Sequence, residues 1–220
     1  MTSKIDTVIF DLDGTLLNTL TDLTNSVNYA LEQYQLPTHS EDAVRRMVGN
    51  GIYVLFEKAI PNGRNFPEYD NCVKTFQKHY ELHKKDFTQP FPGIMDLLKQ
   101  LSTQSYKLAI VSNKFDQAVK ELCKDFFTPY ISIAIGESKE IARKPAPDTV
   151  FEAMKELGSA PETCIYVGDS DVDIATANNS GIPCISVTWG FRDLDFLIQH
   201  GGTHFANNTD DIIDILSKWS

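Results

Sequence analysis

The stretch TVIFDLDGT at residues 7–15 decides the fold of this chain. Its first four residues, Thr7 to Phe10, are apolar or β-branched and predict a short buried strand. The carboxylates of Asp11 and Asp13 follow this strand at once. Since ligands of open α/β sheets bind just beyond the carboxyl ends of the strands, the stretch predicts an acidic site at the end of a central strand.

Four later segments also have the pattern of buried strands, because each is short, rich in β-branched or aromatic residues and ended by a polar residue or a glycine. Helical patterns lie between them, and this alternation favours a mostly parallel sheet with helices on both faces. We therefore expect a doubly wound α/β core. The strands are predicted at residues 107–111, 131–135, 164–167 and 184–188, and the helices at residues 94–104, 115–127, 147–157, 171–179 and 210–218.

The segment between the first and second strands breaks this alternation. It shows helical periodicity only, with helices predicted at residues 20–35, 41–48, 52–59 and 69–85. So many helices are too many for one crossover connection. We therefore expect a helical cap domain at residues 16–87, inserted into an α/β core domain formed by residues 1–15 and 88–220.

Composition and charge limit the classes of partner that the protein is expected to bind. The formal net charge is −10, with 30 acidic against 20 basic residues, which argues against a nucleic acid or an anionic membrane as partner. No apolar run approaches the roughly 20 residues that a membrane span needs, and the N-terminal apolar run is too short for a secretory signal. The four cysteines form no CxxC pair. We expect a cytoplasmic protein, and its oligomeric state stays open.

Polar residues follow the other predicted strands as well. Ser112 and Asn113 come after the second strand, Lys144 precedes a helix after the third, and Asp169 follows the fourth. Because the carboxyl ends of parallel strands meet at one edge, we expect these side chains to converge on Asp11.

The acidic residues among them call for a cation. Asp11, Asp13, Asp169 and Asp173 would crowd several negative charges together, which requires a compensating positive ion. A set of oxygen ligands with room for water suits Mg²⁺. Such an ion would bridge to a phosphate oxygen and leave one carboxylate to attack phosphorus. Lys144 would add a fixed positive charge, and the Ser112 hydroxyl and Asn113 amide would donate hydrogen bonds to phosphoryl oxygens.

Four motifs in chain order resemble those of the haloacid dehalogenase-like superfamily. They are DLDGT at residues 11–15, Ser112 after the second strand, KP at residues 144–145 and GDSDVD at residues 168–173. The resemblance spans nearly the whole chain and includes the inserted helical cap. It implies a magnesium-dependent phosphatase.

The resemblance also implies a role for each matched residue. Asp11 would form an aspartyl-phosphate, and Asp13 would protonate the leaving group and then activate water. Ser112 and Lys144 would hold the phosphoryl group. Asp169 would complete the magnesium site with the Asp11 carboxylate and the Asp13 main-chain carbonyl.

The role of Asp173 stays open at this point. The resemblance implies an outer-shell position or an alternative metal contact. The residue also stands in the first turn of a predicted helix, where an acidic side chain is favourable without any catalytic role.

Segments around the motifs narrow the resemblance to phosphoglycolate phosphatases and their near relatives. They are RMVGNG at residues 46–51, SNK at residues 112–114 and TWGFR at residues 188–192. Gly49, Asn50 and Gly51 are therefore candidate cap contacts with the substrate. The favoured substrate is 2-phosphoglycolate or a similar small phosphorylated metabolite.

Asp13 points to phosphate ester or anhydride chemistry, because an alkoxide leaving group needs a general acid.

Three alternatives remain beside the interpretation as a phosphatase that acts on a small phosphomonoester. A phosphosugar mutase similar to β-phosphoglucomutase would usually place a basic residue of the first cap loop in the site, and residues 18–26 contain no His, Lys or Arg. An inorganic pyrophosphatase is the second alternative. A non-catalytic phosphate-binding protein is the third, and such a protein would usually have lost a motif residue.

Overall fold

The structure is a computed structural model, and it describes residues 4–219. The chain divides into two compact units. The core unit comprises the described residues up to Leu16 and from Pro90 onward, and the helical unit comprises Leu17–Gln89. Within the described residues, no helix has the length and apolar character that a membrane span requires.

The described strands alternate with helices along most of the chain. The strands are β1 (Thr7–Phe10), β2 (Leu17–Asn18), β3 (Gln89–Pro90), β4 (Lys107–Phe115), β5 (Ile133–Glu137), β6 (Cys164–Gly168), β7 (Cys184–Val187) and β8 (His204–Ala206). The helices are α1 (Leu20–Gln33), α2 (Glu41–Met47), α3 (Gly51–Ala59), α4 (Tyr69–His83), α5 (Ile94–Thr103), α6 (Asp116–Phe127), α7 (Asp148–Leu157), α8 (Asp171–Ser180), α9 (Leu194–Gln199) and α10 (Thr209–Ser217).

The core unit is built on a six-stranded sheet in the order β5-β4-β1-β6-β7-β8. Its five strand pairings are all parallel. The chain proceeds outward from β1 through β4 to β5, and then returns to the other side of β1 to add β6, β7 and β8. This order confirms the predicted doubly wound α/β fold, and it places the switch point of the sheet at the carboxyl end of β1.

The register aligns the carboxyl end of β1 with one residue of each neighbouring strand. Phe10 of β1 pairs with Ile110 of β4 and with Val167 of β6. The residues that follow these partners therefore lie at about the same height in the sheet, and Asp11 still donates its main-chain N–H to the carbonyl of Val167. All four residues of β1 are buried, as expected for a strand between two sheet neighbours and two covered faces.

The structure differs from the predicted elements at several places. The predictions lack β8 and α9, since β8 has only three residues, two of them partly exposed, and α9 has only six. They also lack β2 and β3, which have two residues each. The third predicted strand lies two residues too early, because pairing with β4 begins at Ile133. β4 extends to Phe115 rather than ending at Val111, since its pairing with β5 resumes beyond an irregular segment.

The helical unit contains α1 to α4, which lie close to the positions predicted from periodicity. Its interior includes an edge-to-face contact between Phe56 and Phe76, with ring centroids 5.3 Å apart. The buried carboxylate of Asp22 in α1 accepts hydrogen bonds from the main-chain N–H groups of Phe87 and Thr88 and from the Thr88 hydroxyl. This interaction joins the beginning and the end of the insertion.

Candidate active site

A cluster of three buried carboxylates lies at the switch point of the sheet. Asp11, Asp169 and Asp173 each offer a carboxylate oxygen within 4.8 Å of the others. Burial, followed by the charge of Asp173, raises the pKa of Asp11 well above its usual value. The same two causes raise the pKa of Asp169 to about 7. The cluster therefore carries more negative charge than this buried space favours.

Lys144 lies within this cluster. Its Nζ is 2.8 Å from Oδ1 of Asp11 and 2.8 Å from Oδ1 of Asp173, and it donates a hydrogen bond to the Tyr166 hydroxyl at 2.9 Å. Burial opposes the charged form, but the Asp11 and Asp173 carboxylates raise the pKa of Lys144. Lys144 thus remains an ammonium group. This ammonium group contacts two of the three carboxylates, Asp11 and Asp173, and the cluster keeps a negative surplus, which fits a divalent metal ion.

The oxygens of Asp173 are already bound by protein donors. Oδ1 accepts from Lys144 and from the Tyr166 hydroxyl, and Oδ2 accepts from the main-chain N–H and hydroxyl of Ser170. The contact with Ser170 forms a capping box at the start of α8. Asp173 therefore combines the helix-start role with a contact to Lys144, and its outer-shell role stays a prediction.

Asp169 is held by the segment at residues 188–192. Its Oδ2 accepts a hydrogen bond of 2.6 Å from the Phe191 main-chain N–H, and its Oδ1 accepts one of 3.3 Å from the Thr15 hydroxyl. Glycine is required on both sides, because a Cβ at Gly14 or at Gly190 would overlap the Asp169 side chain. The TWGFR segment thus has a structural role that the sequence analysis did not assign to it. The available signal in the sequence was Gly190, a glycine between two large aromatic residues.

The irregular part of β4 carries the SNK residues. Four steps from Val111 to Phe115 match only two steps along β5, so the chain bulges there. Ser112 and Asn113 are buried in this bulge. The Asn113 amide donates to the main-chain carbonyl of Lys144 at 3.0 Å and so links β4 to the loop that carries the lysine. Phosphoryl binding by Ser112 and Asn113 stays a prediction.

The Asp13 side chain pairs with a lysine rather than joining the carboxylate cluster. Lys114 Nζ lies 2.9 Å from Oδ1 and 3.0 Å from Oδ2 of Asp13, a bidentate contact. The sequence did not single out Lys114 or Tyr166 as site residues. Lys114 follows a buried strand directly, which was the available signal, whereas Tyr166 lies inside a strand and resembles any other core residue.

The three candidate cap contacts lie between α2 and α3 of the helical unit. Gly49 and Gly51 have φ angles of 118° and 77°, and Asn50 precedes the first residue of α3. This geometry accounts for a sharp turn between two helices. A contact of these residues with substrate stays a prediction.

Comparison with known proteins shows the family to which this chain belongs. The family model of the haloacid dehalogenase-like hydrolases matches residues 8–187. Phosphoglycolate phosphatase of Mesorhizobium japonicum is 32% identical over 190 residues, which cover 84% of each protein. A structure from Lactobacillus delbrueckii subsp. bulgaricus, provisionally assigned as a phosphoglycolate phosphatase, is 36% identical with a TM-score of 0.93 and covers 97% of this chain and 99% of that one. Pyrophosphatase PpaX of Halalkalibacterium halodurans is 28% identical over 218 residues, 97% of each protein.

The doubly wound sheet, the site at its switch point and these relatives together define an enzyme that hydrolyses phosphoric monoesters. The chain belongs to the haloacid dehalogenase-like hydrolase superfamily, in its phosphoglycolate phosphatase-like branch. The resemblance seen in the four sequence motifs is thereby confirmed.

Proposed function

We propose that this enzyme is a Mg²⁺-dependent phosphatase that hydrolyses a small phosphomonoester through an aspartyl-phosphate on Asp11. The observation that carries the proposal is the buried cluster of three carboxylates beyond β1, two of which contact the ammonium group of Lys144. A nucleophilic carboxylate needs a fixed position and nearby positive charge to approach a phosphate dianion. Asp11 has both.

We assign the metal site to the carboxylates of Asp11 and Asp169 and the main-chain carbonyl of Asp13. Mg²⁺ held there would offset the negative charge of the cluster and of the substrate phosphate. Asp173 is assigned an outer position, since both of its oxygens already accept hydrogen bonds from the protein. The surplus of buried negative charge supports this assignment.

The protein residues account for both half-reactions. In the first, an Asp11 carboxylate oxygen bonds to phosphorus while the bond from phosphorus to the ester oxygen breaks, and Asp13 gives a proton to that oxygen. In the second, water bonds to phosphorus and gives a proton to Asp13, and the bond from Asp11 to phosphorus breaks to release inorganic phosphate. Ser112, Asn113 and Lys144 are assigned to bind the phosphoryl oxygens throughout.

The favoured substrate is 2-phosphoglycolate. The Mesorhizobium japonicum relative bears that activity in its name and aligns with 84% of this chain. We propose that the helical unit acts as a cap that excludes water and bulky substrates during the reaction. A small phosphorylated metabolite is thus the proposed partner, and a cytoplasmic location remains the expectation from the sequence.

A pyrophosphatase is the second candidate function. One specific observation favours it, namely the alignment of pyrophosphatase PpaX along 97% of this chain. Pyrophosphate is small, anionic and cleaved at a phosphorus–oxygen bond, so the same site residues would serve. The mutase and the non-catalytic binding protein have no comparable support.

The test is release of inorganic phosphate, with Mg²⁺ present, from 2-phosphoglycolate, pyrophosphate, β-glucose 1-phosphate and p-nitrophenyl phosphate. We expect the highest kcat/KM on 2-phosphoglycolate, loss of activity with a chelator, and no activity in Asp11→Asn. The exposed Asp214→Asn variant serves as the matched control and retains activity. Full turnover by Asp11→Asn would overturn the mechanism, and highest turnover on pyrophosphate would replace the favoured substrate.

A further inference from the structure

The ion pair between Lys114 and Asp13 involves the residue to which the proposed function assigns the ester oxygen of the leaving group. Only 8% of the Lys114 side chain and 15% of the Asp13 side chain are exposed, and Lys114 Nζ contacts both carboxylate oxygens. In the proposed function Asp13 acts on the ester oxygen of the departing group. Any substituent carried by that group next to its ester oxygen therefore comes close to the ammonium of Lys114.

The backbone that carries Lys114 is fixed on two sides. The Lys114 main-chain N–H donates to the Ser112 hydroxyl at 3.2 Å. Gly136 of β5 lies directly beneath, since a Cβ there would stand 2.6 Å from the Lys114 carbonyl oxygen, and its N–H donates to Asp116 at 3.0 Å. The lysine therefore starts from a rigid point, and only its flexible stem and compact ammonium group are able to change partner.

A nearly buried ammonium group also selects among ligands. Transfer of a charged lysine out of water is costly unless an anion accompanies it. When a substrate draws Asp13 toward its ester oxygen, an anionic oxygen of the substrate would replace Asp13 as the partner of Lys114. A neutral substituent would leave the ammonium without such a replacement.

We propose that Lys114 is a specificity-determining residue that binds an anionic oxygen group of the leaving group, either a carboxylate or a phosphoryl group adjacent to the ester oxygen. This inference rests on the proposed phosphatase function and deepens it. In 2-phosphoglycolate a single carbon separates the carboxylate from the ester oxygen, and in pyrophosphate the second phosphoryl group is bonded to the bridging oxygen itself. Leaving groups with only hydroxyl groups at that position lack the recognised feature.

The experiment compares 2-phosphoglycolate with 2-hydroxyethyl phosphate, which has a neutral hydroxymethyl group in place of the carboxylate. In the unmodified enzyme we expect kcat/KM to favour 2-phosphoglycolate by about 10- to 100-fold, the range of one or more hydrogen bonds between charged groups. In Lys114→Met we expect this preference to fall to near unity, because hydrolysis of the neutral substrate is retained. Lys155→Met removes an exposed lysine paired with Glu152 and should keep the full preference.

Equal kcat/KM values for the two substrates in the unmodified enzyme would overturn the inference without recourse to any variant. Equal losses on both substrates in Lys114→Met would also overturn it, since Lys114 would then act only through Asp13 or through the fold. Pyrophosphate distinguishes the two kinds of anion. If Lys114→Met lowers kcat/KM on pyrophosphate but not on 2-phosphoglycolate, Lys114 recognises a phosphoryl group rather than a carboxylate. Absence of phosphate release from all three compounds by the unmodified enzyme would instead overturn the proposed function itself.

Discussion

Lys144 joins the carboxylates of Asp11 and Asp173 through one ammonium group, with its Nζ 2.8 Å from an oxygen of each. Asp11 follows β1, and Asp173 lies in the first turn of α8. The lysine thus couples the proposed nucleophile to α8, the helix that follows the proposed metal ligand Asp169. Both the geometry of the carboxylate cluster and the balance of its charge therefore depend on the Lys144 ammonium group.

Replacement of Lys144 by Met should lower both the stability of the protein and its phosphatase activity. Loss of one partner leaves buried carboxylates without compensation, and the expected cost in unfolding free energy is about 3–5 kcal/mol at pH 8 without metal. Phosphatase activity should be lost as well. Urea denaturation and phosphate release measure the two effects. Lys155→Met, which breaks an exposed pair, should change neither, and comparable stability of the two variants would contradict the prediction.

Tyr166→Phe should weaken catalysis without removing substrate binding. The Tyr166 hydroxyl accepts a hydrogen bond from Lys144 and donates one to Asp173. Its removal therefore takes one hydrogen-bond partner from the Lys144 ammonium group and one from the Asp173 carboxylate. We expect a loss of about 1–3 kcal/mol in unfolding free energy and a lower kcat with little change in KM. Steady-state kinetics with 2-phosphoglycolate check this. A rise in KM at constant kcat would show that Tyr166 acts on substrate binding instead.

Asp169→Asn should stabilise the metal-free protein at pH 8. Burial and Asp173 raise the pKa of Asp169 from 3.8 to about 7, so its protonated form stabilises the fold at low pH and this contribution is lost as the pH rises through 7. The unmodified protein should therefore lose up to about 4 kcal/mol from this group between pH 4 and pH 8.

Melting temperatures across this pH range, with a chelator and with Mg²⁺, measure the effect of Asp169. In Asp169→Asn the pH-dependent loss should be smaller, and Mg²⁺ should no longer raise the melting temperature. An equal increase on addition of Mg²⁺ in both proteins would show that Asp169 does not hold the metal.

Gly190→Ala should disturb the acidic site through a single methyl group. Its Cβ would overlap the Asp169 side chain and the main-chain oxygen of Gly14, so the hydrogen bond from Phe191 to Asp169 would have to shift. We expect a loss of at least about 10-fold in kcat/KM, because small displacements of catalytic groups are costly. Gly158→Ala is the control, since a Cβ there meets no atom within 4 Å.

The control variant Gly158→Ala should lose only about 1 kcal/mol of stability, from its left-handed backbone conformation, and keep its activity. If Gly190→Ala retained full activity with an unchanged requirement for Mg²⁺, the close packing of Gly190 on Asp169 would have no catalytic importance.

Several features of the fold and the candidate site could be read from local sequence patterns. The buried strand β1 and the carboxylates that follow it are a local pattern, as are the polar residues after β4 and β6. Parallel strands then bring these residues to one edge, so the convergence of Asp11, Ser112 and Asp169 on that edge was predictable. The short elements β8 and α9 were not, because each has too few residues to display a period.

By itself the sequence determined the doubly wound fold, the order of the motifs and the family of the enzyme, because each rests on runs of neighbouring residues. Only the tertiary structure decided that Lys144 bridges Asp11 and Asp173, that Lys114 pairs with Asp13, and that Gly190 packs on Asp169. These contacts join distant parts of the chain: Lys114 and Asp13 are 101 residues apart. They depend on how distant segments pack together, including the strand register and the bulge in β4, and neither of these is encoded in the local periodicity of the chain.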